Sequence, residues 1–92
     1  MQEQTAKTEQ IVNKRGLHAR ASAKFVDVAE KFQSKISVEK EGTKVSGKSI
    51  MGLLLLAAAN GESVTIEATG RDAEEAVLVL AHLVKSGFYE TD

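Results

Sequence analysis

Hydrophobic residues follow two rhythms along this chain. Between residues 35 and 40, Ile36 and Val38 face one way and Ser37 and Glu39 the other, which predicts a half-buried strand. Glu41-Gly42 is a turn signal, and residues 43–46 continue as a partner strand, so the two read as a hairpin. Residues 63–68 alternate again, with Val64, Ile66 and Ala68 on one side. Ile11-Val12, set among polar neighbours, predicts a short first strand over residues 8–13, followed by the loop Lys14-Arg15-Gly16-Leu17. Residues 1–7 are polar and read as a frayed tail, leaving residues 8–92 as the folded domain.

The second rhythm is helical. From Ala19 to about Gln33, the apolar residues Phe25, Val26, Ala29 and Phe32 recur on one side with Ser22, while Val28 breaks the pattern. A short helix starts at Ser49 and runs to about Ala58, ended by Asn60-Gly61. Asp72-Ala73-Glu74-Glu75 opens the last helix like a capping box, with Asp at the N-cap and Glu three residues on. Its stripe is Ala76, Val77, Leu80, Leu83 and Val84, and Ser86-Gly87 ends it. Strands with one apolar face each need a single covering layer of helices. The pattern therefore predicts a two-layer sandwich of helices on a mostly or wholly antiparallel sheet.

Composition narrows the function classes. Ninety-two residues make one small domain. A net charge of −1 argues against bulk nucleic-acid binding, and the absence of cysteine excludes disulfides, thiol catalysis and Cys-ligated metals. His82 lies mid-helix with no companion ligands, so no metal and no cofactor are expected. The apolar run of residues 53–59 is far too short to span a bilayer, and the first residues lack the apolar core of a signal peptide. A cytoplasmic protein without membrane or nucleic-acid partners is the expectation.

The chemistry concentrates at Gly16-Leu17-His18-Ala19-Arg20-Ala21, where a glycine loop delivers a histidine to the start of a helix. The first N–H groups of a helix lack internal acceptors and carry the positive end of its dipole. A phosphoryl group on His18 would accept from the N–H groups of Ala19, Arg20 and Ala21, with the Arg20 guanidinium adding a charge-assisted contact. A neutral imidazole keeps a lone pair able to attack phosphorus. Spacing alone equally allows His18 to be an ordinary surface residue or an adventitious cap. Ser49 has a simpler explanation still, as the N-cap of its helix.

Gly16-Leu17-His18-Ala19-Arg20 resembles the active-site motif of the histidine-containing phosphocarrier proteins, the HPr family of the bacterial phosphotransferase system. Gly47-Lys48-Ser49-Ile50-Met51-Gly52-Leu53 is similar to that family's regulatory-serine segment, at the family's distance from the histidine. The resemblance implies an α+β open-faced sandwich of four antiparallel strands under three helices. It also implies that enzyme I phosphorylates His18 on Nδ1 from phosphoenolpyruvate and that the phosphate passes to an enzyme IIA histidine. Ser49 becomes a target for an HPr kinase/phosphorylase. Ile50, Met51 and Leu54 become the shared docking patch, joined by Ala23 and Lys24 of the first helix, with Lys48 on the rim. The carrier is implied to be a monomer and a substrate of its partners rather than an enzyme. Ala21 departs from the pattern, because the family commonly has proline there. Residues 53–56 and 85–88 resemble the nitrogen-related branch of the family. A non-catalytic module binding a metabolite or RNA is the rival class, and aromatic content of 4% leaves it no stacking platform.

Overall fold

The computed structural model describes residues 4–90. Four strands, β1 (Gln4–Gln10), β2 (Lys35–Lys40), β3 (Thr43–Ser46) and β4 (Ser63–Thr69), form one sheet in the order β1-β4-β2-β3. Every pairing is antiparallel. Three helices, α1 (Ala19–Ala29), α2 (Ile50–Leu56) and α3 (Ala73–Lys85), cover one face, and a short 3-10 turn (Gly87–Tyr89) follows α3.

The inward sides of β2 and β4 bring Ile36, Val38, Val64, Ile66 and Ala68 under the helices. Phe25 and Ala29 of α1, Leu53 and Leu56 of α2, and the predicted stripe of α3 meet them in one core. Burying one such Leu or Phe side chain is worth about 1.5–3 kcal/mol. Phe88, beyond α3, is also fully buried.

The first strand corrects the sequence reading. It spans Gln4–Gln10, not residues 8–13, so residues 4–7 of the supposed tail are paired with β4. Residues 1–3 and 91–92, where the rest of that tail and the end of the predicted domain fall, lie outside the described residues. Polar Gln4-Thr5-Ala6-Lys7-Thr8-Glu9-Gln10 carries no apolar alternation, and it needs none. The strand lies at the sheet edge, and Thr5, Lys7 and Glu9 stand opposite Ala68, Ile66 and Val64 without being buried. Ile11 follows the strand and plugs the core instead.

Three helix ends also differ. The first helix stops at Ala29 rather than Gln33, and α2 stops at Leu56, where Ala57 takes a left-handed C-cap conformation (φ 50°) well before Asn60-Gly61. Asp72 precedes α3 as predicted but does not cap it with its side chain. Its carboxylate instead accepts from the N–H groups of Gln33 and Ser34, both at 2.9 Å, and from the Ser34 hydroxyl. The loop into β2 offers three donors, and this geometry wins over the capping box.

Candidate functional site

The loop that carries His18 is held from several sides. Gly16 has φ +65°, and a Cβ there would lie 2.3 Å from the Ala58 carbonyl oxygen, so only glycine fits. The Leu17 N–H donates to that same carbonyl at 2.9 Å, which ties the loop to the chain after α2. The Asn60 amide donates to the carbonyls of Val12 and Asn13. The Ser22 hydroxyl, buried, donates to the Leu17 carbonyl. His18 thus enters the first helix from a fixed direction.

His18 is itself the N-cap of α1. Its extended backbone (φ −76°, ψ −177°) starts the helix, and its ring Nδ1 accepts from the Arg20 N–H at 3.2 Å. Nε2 lies 2.8 Å from Oε2 of Glu90. An ionised carboxylate only accepts and a backbone N–H only donates, so both contacts select the same neutral ring. The proton sits on Nε2 and the lone pair on Nδ1, at the positive end of α1.

Glu90 is in turn oriented by Asn13. The Asn13 amide nitrogen donates to Oε1 of Glu90 at 3.1 Å and to the Gly16 carbonyl at 2.8 Å. Two acceptors fix the amide orientation and leave buried Oδ1 of Asn13 without a hydrogen-bond partner among the described residues. Gly87, Phe88 and Tyr89 all have φ between 59° and 71°, a left-handed run that brings the chain back to the site. Such conformations cost about 1–3 kcal/mol per non-glycine residue, and the burial of Phe88 recovers a comparable amount. Lys24 holds the turn by donating from Nζ to the Phe88 carbonyl at 2.8 Å.

The other predicted residues divide. Ala19 and Arg20 are exposed, Ala21 is buried, and the backbone N–H groups of all three belong to the first turn of α1. No hydrogen bond or ion pair with the described residues engages the Arg20 guanidinium. Ser49 is the N-cap of α2, its hydroxyl accepting from the Gly52 N–H at 2.9 Å. Ile50, Met51 and Leu54 are exposed beside Leu55, whereas Leu53 and Leu56 are core. Ala23 is exposed on α1, and the Nζ of Lys48 donates to the Phe32 carbonyl at 2.7 Å. His82 is exposed on α3, near the Tyr89 ring. Among the described residues no group of His, Cys, Asp or Glu side chains is arranged to hold a metal ion, and no helix is long and apolar enough to cross a membrane.

A family model described as the PTS HPr component phosphorylation site matches residues 5–86. The chain belongs to the HPr family. Like its family it is a phosphocarrier of the phosphotransferase system and not an enzyme. It is 48% identical over 81 residues to the phosphocarrier protein HPr of Neisseria meningitidis serogroup A, an alignment covering 88% of this chain and 91% of the relative. HPr-C-His from Thermoanaerobacter tengcongensis superposes with a TM-score of 0.91 at 46% identity, covering 96% of this chain and 99% of that one. Crh of Bacillus subtilis, described as a swapped dimer, superposes with a TM-score of 0.74 at 48% identity, over 79% of this chain and 84% of that one. The HPr fold is the open-faced sandwich that the sequence predicts.

Asn13 and Glu90 are the residues of the site that sequence reasoning missed. Glu90 lies 72 positions from His18 and carries no local motif. The one available signal was Gly87 after the last helix, a residue suited to turning the chain back.

Proposed function

We propose that His18 accepts a phosphoryl group on Nδ1 from phosphorylated enzyme I, ultimately from phosphoenolpyruvate, and passes it to a histidine of an enzyme IIA protein. One observation carries the reading: the Nδ1 lone pair sits at the N-terminus of α1. Phosphate on that atom meets the N–H groups of Ala19, Arg20 and Ala21, and the unengaged Arg20 guanidinium swings onto it. Ile50, Met51 and Leu54 form the docking patch, with Ala23, Lys24 and Lys48 at its margin. Exposed apolar side chains rimmed by cations suit brief, electrostatically steered encounters with acidic partners.

Ser49 is a regulatory site for an HPr kinase/phosphorylase in this reading. Its hydroxyl is in place at the start of α2, where a phosphate faces backbone N–H groups. The identity of the enzyme IIA acceptor sets whether the output is sugar uptake or nitrogen-related regulation. In this reading the carrier works as a monomer.

Intact mass after incubation with enzyme I, phosphoenolpyruvate and Mg²⁺ tests the proposal. One acid-labile phosphoryl adduct is expected, absent in His18→Ala. An unmodified wild-type protein with active enzyme I overturns it.

A further inference from the structure

We infer that Glu90 is a positioning residue that makes Nδ1 of His18, and not Nε2, the phosphoryl acceptor. The inference deepens the phosphocarrier reading and rests on it for its biological setting, but its chemistry can be read without any partner protein.

A histidine ring has two nitrogens, and either can attack phosphorus if its lone pair is free. Here the two stand in opposite surroundings. Nδ1 faces a single backbone N–H at 3.2 Å, a contact long enough to yield to an incoming phosphoryl group. Nε2 is engaged with a carboxylate at 2.8 Å, the short distance of a charge-assisted bond. The side chain of Glu90 is only 8% exposed, so its charge has little water to fall back on and depends on its partners. The Asn13 amide at 3.1 Å and the Nε2 proton supply two of them. The carboxylate therefore keeps a proton on Nε2, and a nitrogen that holds its proton has no lone pair to offer.

The same contact serves the transfer step. As the Nδ1–P bond forms, the donor's bond to phosphorus breaks and its electron pair leaves with the donor atom. The imidazole becomes a cation that retains the Nε2 proton. Glu90 faces the nitrogen that bears that proton, so it balances the charge as it develops. A protonated phosphoimidazole is also the better leaving group, which keeps the phosphoryl group transferable. Carboxylates that orient a histidine through its far nitrogen act in this way in metal sites, where their loss lowers activity about 10–100-fold, and in triads, where it lowers kcat about 10⁴-fold.

Phosphoramidate, a small-molecule phosphoryl donor that needs no partner protein, provides the test. Its P–N bond breaks as Nδ1 attacks, and ammonia leaves with the electron pair. The phosphorylated nitrogen is identified by ¹⁵N–³¹P coupling in protein with labelled histidine. Wild type is expected to carry phosphate on Nδ1 alone. Glu90→Ala is expected to yield a substantial Nε2 adduct and to lose about tenfold or more in the rate at Nδ1. Glu90→Gln, whose amide oxygen still accepts from Nε2 but carries no charge, is expected to keep the Nδ1 product at a reduced rate. A merely structural Glu90 would change the melting temperature and leave the choice of nitrogen untouched.

Glu90→Ala that reacts only on Nδ1 at the wild-type rate overturns the inference. So does a wild-type Nε2 proton that exchanges with water as fast as in a free imidazole, a measurement needing no variant. Failure of the phosphocarrier reading shows up separately, as wild type that reacts with phosphoramidate on Nδ1 yet takes nothing from phosphorylated enzyme I.

Discussion

Gly16 shows how much of this site rests on a single missing methyl group. Its φ of +65° disfavours any L side chain, and the Ala58 carbonyl occupies the space a Cβ would need. Gly16→Ala must push apart the His18 loop and the segment after α2, which the Leu17–Ala58 hydrogen bond holds together. Urea denaturation should show a loss of about 1–3 kcal/mol, the usual range for a steric and backbone conflict of this kind. His18 itself was legible in the sequence because a glycine loop ahead of a helix is a local signal. Glu90 was not. Its role depends on where a left-handed turn of three residues sends the chain, and only Gly87 among them has an intrinsic preference for that conformation. A local motif survives in one dimension, whereas a partner 72 positions away exists only once the fold has formed.

Among the elements, those with an apolar face were readable, and β3, which buries no residue, was readable from the turn signal that joins it to β2; β1 has neither signal. The stripes of α1 and α3 and the alternations of β2 and β4 are burial patterns written into the residues, and they reappear in the core. An edge strand such as β1 has no buried row to declare it; its evidence is a ladder of backbone hydrogen bonds that any sequence can make. Asp72 shows the other kind of failure, where a sound local motif loses to a better tertiary offer. The Ser49 cap is the opposite case, a local expectation that the structure meets. Ser49→Ala is expected to lower stability by about 1 kcal/mol, read as a shift in the urea midpoint at constant slope. It leaves the first turn of α1 alone, so phosphorylation of His18 by phosphoramidate should proceed at the wild-type rate.

Across the whole molecule, acid sensitivity follows from the carboxylates that the folded chain uses as acceptors. The Ser34 hydroxyl, and after it the Gln33 N–H, hold the Asp72 carboxyl below the ordinary carboxylate range. The Lys44 side chain does the same for Glu67, and the Ala59 N–H and then Lys40 for Glu62. Each group takes up its proton at higher pH in the unfolded chain than in the folded one. Their contribution is therefore present at neutral pH and lost as pH falls through the acid range from about pH 5 downward. Asp72→Asn should be less stable than wild type at pH 7, and the gap should narrow as pH falls. Melting temperatures measured from pH 7 to pH 3 check this, and a gap that stays constant with pH removes Asp72 from the account.

The antiparallel register that joins Gln4 to Thr69 and Gln10 to Ser63 pairs the first strand of the chain with the last. A chain made from its N-terminus must therefore finish β1 first and carry it unpaired until β4 has been synthesised. An exposed strand edge in that interval invites pairing with other chains, and apolar edges invite it most. The composition of β1 answers that hazard. Two glutamines, two threonines, a lysine, a glutamate and an alanine leave water little reason to expel the segment while it waits. Its polar character gives up burial in the finished fold, and in exchange the growing chain stays soluble until its partner strand appears.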